Sequence, residues 1–321
     1  MYDLIVIGAG PIGIATAREA ANRDLKVALI DRGPLLGAMF QYPTHMKFFS
    51  SSDKISICNI PFPTLESRPT RFEALEYYRL VATHPKIDWH LYQKVKAISG
   101  EKGNFEVITD TQKLDSKFVV VATGFFNEPV MINIPGEFDK NVSHYFSEGH
   151  AYAGLKTVIV GAANSAVIAA LECWRHGADV ILVHRGDDFH KGVKYWLRPD
   201  IKNRIKEGSI KALWNSVVIK MDDKKILLQQ QNEEKIIDCD KLLILTGYRA
   251  DFFWLKSLGL ELDSMNRPII SEETFESNSR PGLYCAGCVL CGNVTNELFI
   301  ENGRFHAKAI SENLVEVLKS E

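Results

Sequence analysis

The chain has little of several features, and each shortage excludes a class of protein. Across 321 residues no apolar run reaches the roughly 18 residues of a transmembrane helix. The formal net charge is −2, which gives no electrostatic case for binding nucleic acid or an acidic membrane. Low-complexity tracts and repeats of about 20–50 residues are missing as well. We therefore expect a globular protein without nucleic-acid or membrane partners.

Cysteine is also scarce, with six in the chain. Met1 leads directly into the first predicted strand, which leaves no space for a signal peptide. We expect a cytoplasmic location, where cysteines stay reduced unless they are catalytic. Cys58, Cys173 and Cys239 are scattered, which indicates structural roles. The length allows two domains, and a content of 46% apolar and 24% charged residues is ordinary for a globular protein.

A glycine-rich turn follows the first apolar strand, residues 3–7 (DLIVI). Gly8 permits a sharp turn, Gly10 lets a pyrophosphate approach the backbone, and Gly13 lets the next helix pack close to the strand. The next predicted strand ends at Asp31, about 23 residues past Gly8. A carboxylate there accepts hydrogen bonds from ribose hydroxyls and repels a 2′-phosphate. The pattern predicts FAD or NAD rather than NADP.

The same design occurs again near the middle of the chain. Residues 157–160 (TVIV) run into Gly161, Ala163 and Ala166, a relaxed turn in which alanine replaces two glycines. The following predicted strand leads to Arg185, about 24 residues past Gly161. Arginine pairs bidentately with a 2′-phosphate, so this position favours NADPH over NADH. The alternative is a surface arginine that merely ends a strand.

The order of these motifs predicts the domain organisation. Two more apolar strands each end in Thr-Gly, one at 118–124 and one at 242–247, and a long helix is predicted from about Asn296 to the end. The predicted fold class is α/β, with two Rossmann-like dinucleotide-binding domains. The FAD-binding domain is discontinuous, comprising residues 1–122 and 250–321, and the NADPH-binding domain, residues 123–249, is inserted into it.

These motifs resemble the low-molecular-weight thioredoxin-reductase class of flavoproteins, and within it the YpdA-type bacillithiol disulfide reductases. The resemblance covers nearly the whole chain and rests on residues 8–13, 42–45 (YPTH), 48–52 (FFSSS), 122–124 (ATG), 144–146 (HYF), 164–165 (NS), 246–248 (TGY), 296–297 (NE) and 299–306 (FIENGRFH). It implies bound FAD and NADPH as hydride donor. The implied acceptor is a small-molecule disulfide such as bacillithiol disulfide, or a small redox protein. A homodimer is the expectation for this class.

The cofactor sites follow from the motifs and the resemblance together. A loop dense in aromatics and hydroxyls (residues 41–52) suits a flat aromatic ring. The predicted FAD-binding residues are Gly8, Gly10, Gly13, Asp31, Gln41, His45, Phe49, Ser51, Val95, Ala122, Thr123, Gly124, Gly287, Cys288, Phe299 and Ile300. The predicted NADPH-binding residues are Gly161, Ala163, Asn164, Ser165, His184, Arg185, Thr246 and Gly247. We expect no metal site.

The chain departs from the pattern of these flavoproteins at two places. Thioredoxin reductases carry a C-x-x-C pair just before the second nucleotide turn, whereas residues 146–156 contain no cysteine here. Bacillithiol disulfide reductases typically carry a cysteine inside the first turn, at the position of Ile12. Thiolate attack on a disulfide from that position is therefore excluded.

Three cysteines, Cys285, Cys288 and Cys291, form a cluster that the resemblance does not explain. Cys288 takes the place of an acidic residue that contacts the flavin ribityl chain in many flavoproteins of this class. Three interpretations are open. The cysteines are buried small hydrophobes, or Cys285 pairs with Cys288 or Cys291 as a redox couple. In the third, they begin an iron–sulfur site whose fourth ligand would fall at Thr295. The predicted catalytic residues are Cys285, Cys288 and His45, the last as a proton donor.

Three other functions compete with disulfide reduction. Flavin monooxygenases carry an F-x-G-x-x-x-H motif before the second turn, but here Gly136 precedes His144 by too many residues and the leading Phe is absent. A ferredoxin- or flavodoxin-type NADPH reductase needs no catalytic thiol. A non-enzymatic NADPH or redox sensor would bind both nucleotides. Its only support is the absence of a thiol at the position of Ile12.

Overall fold

The computed structural model describes residues 1–231 and 233–320. The strands are β1 (Tyr2–Ile7), β2 (Val27–Ile30), β3 (Ile87–His90), β4 (Val95–Glu101), β5 (Asn104–Thr109), β6 (Lys113–Val121), β7 (Val142–Ser143), β8 (Lys156–Val160), β9 (Asp179–Val183), β10 (Ile210–Leu213), β11 (Ser216–Asp222), β12 (Lys225–Gln230), β13 (Glu233–Asp238), β14 (Lys241–Ile244) and β15 (Leu283–Cys285). The helices are α1 (Pro11–Asn22), α2 (Gly37–Phe40), α3 (Ser52–Ile55), α4 (Arg71–Ala82), α5 (Asn164–Arg175), α6 (Arg198–Lys206), α7 (Phe252–Ser257) and α8 (Ile300–Ser320). Short 3₁₀ turns occupy Gly149–Tyr152 and Gly287–Cys291.

The chain folds into two compact units. Unit 1 comprises Met1–Phe40, Met46–Glu128 and the chain from Tyr248 onward; unit 2 comprises Gln41–His45 and Pro129–Gly247. Residues 123–128 thus belong to unit 1, where Arg32 pairs with Glu128 at 2.9 Å. Residues 41–45 belong to unit 2, where the Thr44 N–H donates to the Ser147 carbonyl at 2.9 Å.

Unit 1 is built on a seven-stranded sheet. Strands β3, β2, β1 and β6 lie side by side in parallel, and β4 and β5 continue from β6 as an antiparallel meander. Strand β6 pairs with β1 along one edge and with two strands along the other. Its first part pairs with β5, and its last residues, Val119–Val121, pair in parallel with β15. The central strands are apolar and buried. On one side of the sheet, α1 packs against β1 and β2 and against the long helix α8.

Unit 2 repeats the parallel arrangement. Its main sheet has the order β10-β9-β8-β14-β7 with all strands parallel, and β11, β12 and β13 form a separate antiparallel sheet. In both units the nucleotide turn follows a central strand, β1 or β8, and opens a helix, α1 or α5. The predicted α/β class with two Rossmann-like units is confirmed.

The helix starts differ slightly from the sequence prediction. The sequence places the start of the last helix near Asn296, whereas α8 begins at Ile300. The Asn302 side chain explains the difference, since it accepts from the Phe299 N–H at 2.7 Å and donates to the Glu297 carbonyl at 2.8 Å. Residues 297–299 are therefore held in a capping turn. No helix in the described part of the chain is long and apolar enough to cross a membrane.

Candidate nucleotide-binding sites

The first glycine turn has one glycine for each steric demand. Gly8 has φ +109°, and a Cβ there would lie 2.5 Å from the Ala122 carbonyl oxygen. A Cβ on Gly13 would lie 1.8 Å from the Gly8 oxygen, so the helix packs on its own turn. Around Gly10, by contrast, no heavy atom lies within 4 Å of a Cβ. The backbone at Gly10 is therefore open on the side from which a phosphate group approaches.

Helix α1 begins at this opening. Gly10 is its N-cap residue, Pro11 occupies the first turn, and no side chain caps the free N–H groups. Proline suits this position because its missing N–H would have no partner there. Uncapped N–H groups together with the positive end of the helix dipole form an anion site. The geometry of the turn therefore fits the pyrophosphate of a dinucleotide.

Asp31 is fixed beside this turn at the end of β2. Its Oδ2 accepts from the Ala9 N–H at 2.7 Å and its Oδ1 from the Gly33 N–H at 2.8 Å. The carboxylate borders a cavity of about 130 Å³ at the carboxyl ends of the parallel strands. The cavity is lined by Ile7, Gly8, Asp31, Arg32, Gln93, Lys94, Val95, Thr123, Gly124, Phe125, Asn127, Glu128, Asp251 and Trp254.

Five predicted FAD-binding residues meet in this cavity, namely Gly8, Asp31, Val95, Thr123 and Gly124. Other lining residues, such as Arg32, Gln93 and Trp254, were not predicted because they come from loops and a helix without a nucleotide motif. The cavity lies where ligands of open α/β sheets bind.

The second turn repeats the first at Gly161, which has φ +133°. A Cβ there would lie 2.4 Å from the Leu245 carbonyl oxygen, the counterpart of the contact between Gly8 and Ala122. Ala166 is fully buried beneath the turn, while Ala163 and Ser165 are exposed at the uncapped start of α5. This turn also offers an anion site.

The Asn164 side chain has a structural task that the sequence did not indicate. Its Nδ2 donates to the Gly192 carbonyl at 3.1 Å, and its Oδ1 accepts from the Lys194 N–H at 3.0 Å. The side chain therefore holds the loop after β9 against the nucleotide turn. Nearby, the Thr246 hydroxyl donates to the Val130 carbonyl at 2.7 Å, and Gly247 has φ +108° with open space on its Cβ side.

Cationic side chains surround the end of β9. Arg185 is exposed, and among the described residues it makes no ion pair. Arg198, by contrast, lies 3.6 Å from Asp188 and donates to the His190 carbonyl. Partial burial, and then the charge of Arg185, lower the pKa of His184, so this imidazole is neutral at pH 7. Arg185 therefore stays available to an anionic ligand.

The aromatic loop is divided between the two units. His45 belongs to unit 2, where its Nε2 lies 4.0 Å from a Glu148 oxygen and its side chain is 77% exposed. Gln41 belongs to the same unit and is exposed. Phe49 and Ser51 belong to unit 1, and the flavin role of these four residues stays a prediction.

The start of α8 holds the unit 1 part of this loop. Glu301 accepts a short hydrogen bond from the Ser50 hydroxyl, and Arg304 donates to the Asp53 and Ser56 carbonyls at 2.8 Å. Phe299 is exposed and Ile300 is half-buried at the first turn of the helix. These contacts order residues 50–56 against α8.

The three clustered cysteines have different environments. Cys285 is completely buried in β15, and burial raises the pKa of its thiol to about 12, which favours the interpretation as a packed hydrophobe. Cys288 is half-buried and Cys291 is buried, and both lie in the 3₁₀ turn after Gly287. No group of three or more metal-ligating side chains lies close enough together to hold a metal within the described residues.

Comparison with known proteins identifies the family. The pyridine nucleotide-disulphide oxidoreductase family model matches residues 5–287. The bacilliredoxin reductase Bdr of Bacillus subtilis is 34% identical over 97% of this chain and 96% of its own length. The bacillithiol disulfide reductase Bdr (YpdA) of Staphylococcus aureus has a solved structure that superposes with a TM-score of 0.93, at 32% identity and 98% coverage of both chains.

Other oxidoreductases are more distant. A ferredoxin–NADP reductase of Ignicoccus hospitalis is 24% identical over 89% of this chain and 90% of its own. The resemblance to the bacillithiol disulfide reductases is thereby confirmed, and the competing enzyme classes fit no better. The chain therefore belongs to the pyridine nucleotide-disulphide oxidoreductase family, as an NADPH-dependent disulfide reductase that uses FAD.

Proposed function

We propose that this chain transfers electrons from NADPH, through FAD, to the disulfide of a low-molecular-weight thiol of the bacillithiol type. One observation carries the proposal. The chain has two strand–turn–helix units whose helix N-termini carry no side-chain cap; the first is followed by the carboxylate of Asp31 and the second by the exposed Arg185. The names of the similar proteins, bacilliredoxin reductase and bacillithiol disulfide reductase, support the acceptor class.

We assign FAD to unit 1. Gly8, Gly10 and Gly13 would cradle the pyrophosphate, and Asp31 would accept hydrogen bonds from the ribose. Val95, Ala122, Thr123 and Gly124 would complete the nucleotide pocket, and Phe49, Ser51, Gly287, Cys288, Phe299 and Ile300 would surround the flavin. When bound, FAD supplies the hydride-accepting and electron-donating chemistry; the chain positions the ring and excludes water.

We assign NADPH to unit 2. The N–H groups at the start of α5, from Ala163 to Ser165, would bind the pyrophosphate beside Gly161. The Arg185 guanidinium would pair with the 2′-phosphate, and neutral His184 would lie beside it as a hydrogen-bonding group. Thr246 and Gly247 would border the nicotinamide half.

A second candidate function is supported by one residue. Ile12 is 6% exposed and occupies the position of the family cysteine, so no thiol stands inside the first turn. Bound FAD would supply one-electron chemistry that needs no thiol, and this would suit a ferredoxin or flavodoxin. We further propose a cytoplasmic homodimer whose partner is a small disulfide or a small redox protein.

Stopped-flow spectroscopy separates these candidates. The purified flavoprotein is first reduced with NADPH under anaerobic conditions and then mixed with bacillithiol disulfide or, in a parallel run, with ferredoxin. We expect rapid reoxidation by the disulfide and slow reoxidation by ferredoxin. Rapid reoxidation by ferredoxin alone would replace the proposed function with the electron-transfer reductase.

A further inference from the structure

Two thiols of this chain are held together next to the first nucleotide turn. Cys288 and Cys291 lie three residues apart in the 3₁₀ turn Gly287–Cys291, and this spacing places their side chains on one face. The Cys288 Sγ lies 3.1 Å and the Cys291 Sγ 3.9 Å from the Leu298 carbonyl oxygen. Both thiols thus contact the same carbonyl oxygen. The fold therefore brings this pair together without a disulfide.

The pair lies beside the residue that replaces the family cysteine. Gly287 precedes the pair with φ +72°, and a Cβ on it would lie 3.0 Å from the Cβ of Ile12. The Gly287 N–H donates to the His306 Nδ1 at 3.1 Å, which fixes the start of the turn. Ile12 belongs to the first turn of α1, directly after Gly10 and Pro11. The thiols therefore lie at the edge of the proposed FAD site.

The thiols of the remaining cysteines differ from this pair in their pKa. Burial raises the pKa of the Cys173 and Cys285 thiols to about 12 and that of Cys239 to about 11. Burial also raises the pKa of Cys58. Within the pair, Cys288 lowers the pKa of Cys291, while Cys291 and burial raise that of Cys288. Cys291 is therefore the thiol of the pair that ionises first.

We propose that Cys288 and Cys291 are a catalytic dithiol that reduces the acceptor disulfide in place of the thiol missing at Ile12. The inference rests on the proposed function and names the residues that carry its last step. Cys288 is the more exposed of the two and meets the acceptor, and the Cys291 thiolate takes its proton.

The exchange balances in two displacements. As the Cys291 thiolate takes its proton, the Cys288 sulfur attacks one sulfur of the acceptor disulfide, whose S–S bond breaks; a mixed disulfide forms and the first thiolate leaves with the proton now held by Cys291. The Cys291 thiolate then attacks the Cys288 sulfur, releases the second thiolate to be protonated by solvent, and closes a disulfide within the turn. The pair gives two electrons to the acceptor, and NADPH returns two electrons through the flavin to restore both thiols.

Electron counting tests the pair without reliance on turnover. The holoenzyme is oxidised with diamide, freed of reagent and titrated with NADPH under anaerobic conditions. We expect about two equivalents for the wild type, one for the flavin and one for the pair, and about one for Cys288→Ser. Cys58→Ser is the matched control, because it removes a half-buried unit 1 thiol that lies outside the turn, and it should take about two.

Mass spectrometry of the alkylated wild type provides a readout that needs no variant. A peptide with Cys288 linked to Cys291 should appear after oxidation and disappear after NADPH. Uptake of one equivalent by the wild type, or a linked peptide that NADPH does not reduce, would overturn the dithiol. If the wild type takes two equivalents but bacillithiol disulfide fails to reoxidise it, the dithiol stands and the proposed acceptor is wrong. If Cys288→Ser reduces bacillithiol disulfide at the wild-type rate, the acceptor stands and the dithiol falls.

Discussion

The Gly287 N–H donates a hydrogen bond to the Nδ1 of buried His306 at 3.1 Å, and this imidazole stacks on Phe275 with ring centroids 4.2 Å apart. The ring must stay neutral to accept that bond, and burial lowers the pKa of His306 from 6.5 to about 4. The histidine therefore couples protonation to the position of the turn that carries Cys288.

Acid should destabilise the protein through His306. Between pH 6.5 and 4 the unfolded chain binds a proton at this residue and the folded chain does not. The neutral imidazole therefore contributes its full stabilisation above pH 6.5. As the pH falls from 6.5 to 4, the free energy of unfolding decreases by about 3 kcal/mol. Urea unfolding of wild type and His306→Asn across this range measures it. The variant keeps an acceptor near the Nδ1 position, so an unchanged slope in it would refute the assignment.

Two glycine substitutions should separate folding from cofactor binding. Gly13→Ala places a Cβ 1.8 Å from the Gly8 oxygen, so we expect a loss of about 3 kcal/mol or more, or no folded protein. Gly10→Ala meets no protein atom within 4 Å. The flavin-free Gly10→Ala protein should therefore match the wild type within about 0.5 kcal/mol and yet bind FAD more weakly. Thermal unfolding and fluorescence titration with FAD check both, and unchanged FAD affinity in Gly10→Ala would exclude phosphate binding at this backbone.

Arg185→Ala should change the choice of nicotinamide nucleotide. Loss of a charge-assisted contact with the 2′-phosphate should raise the KM for NADPH about 10- to 100-fold and leave the KM for NADH as it was. Flavin reduction by each nucleotide measures the two values. Lys211→Ala, which removes another exposed cation of unit 2, is the control and should change neither. Equal losses for NADPH and NADH would place Arg185 outside the 2′-phosphate site.

The carboxylate of Glu137 should stabilise unit 2 through its charge. Burial acts to raise the pKa of Glu137, but hydrogen bonds from His144 at 3.0 Å and from the N–H groups of Ile132 and Ile134 outweigh it and hold the pKa below 4.5. Glu137→Gln should therefore lower the free energy of unfolding by about 2–3 kcal/mol at pH 7. The stabilisation is complete above pH 4.5 and is lost as the pH falls through the lower pKa of the folded state, so the difference should shrink in acid. A difference that stays the same from pH 7 down to the acid limit of the folded protein would show that the charge is not responsible.

Local chemistry explains which parts of the site were predictable. Gly8, Asp31 and Gly161 could be read from the sequence because turn, carboxylate and helix start lie within one strand–turn–helix–strand unit. The start of α8 could not be read from the sequence, because nothing in the sequence distinguishes the capping residue Asn302 from an ordinary polar residue.

Long-range placement explains the rest. The sequence allowed Cys285 to pair with Cys288 or Cys291, and only the change from strand to 3₁₀ turn at Ala286 separates the buried thiol from the other two. The lining residues Gln93 and Trp254 were missed for a related reason. They come from distant segments that meet only after the sheet has formed.

The pairing of β6 with β15 also fixes an order of events during synthesis. Val119–Val121 find their parallel partner in Leu283–Cys285, which the ribosome adds only after all of unit 2 has been made. Unit 2 is therefore complete in the nascent chain while unit 1 still lacks a strand and the helix that covers α1. Until then the edge of β6 presents unpaired backbone groups to any passing strand, which makes a truncated chain prone to aggregate.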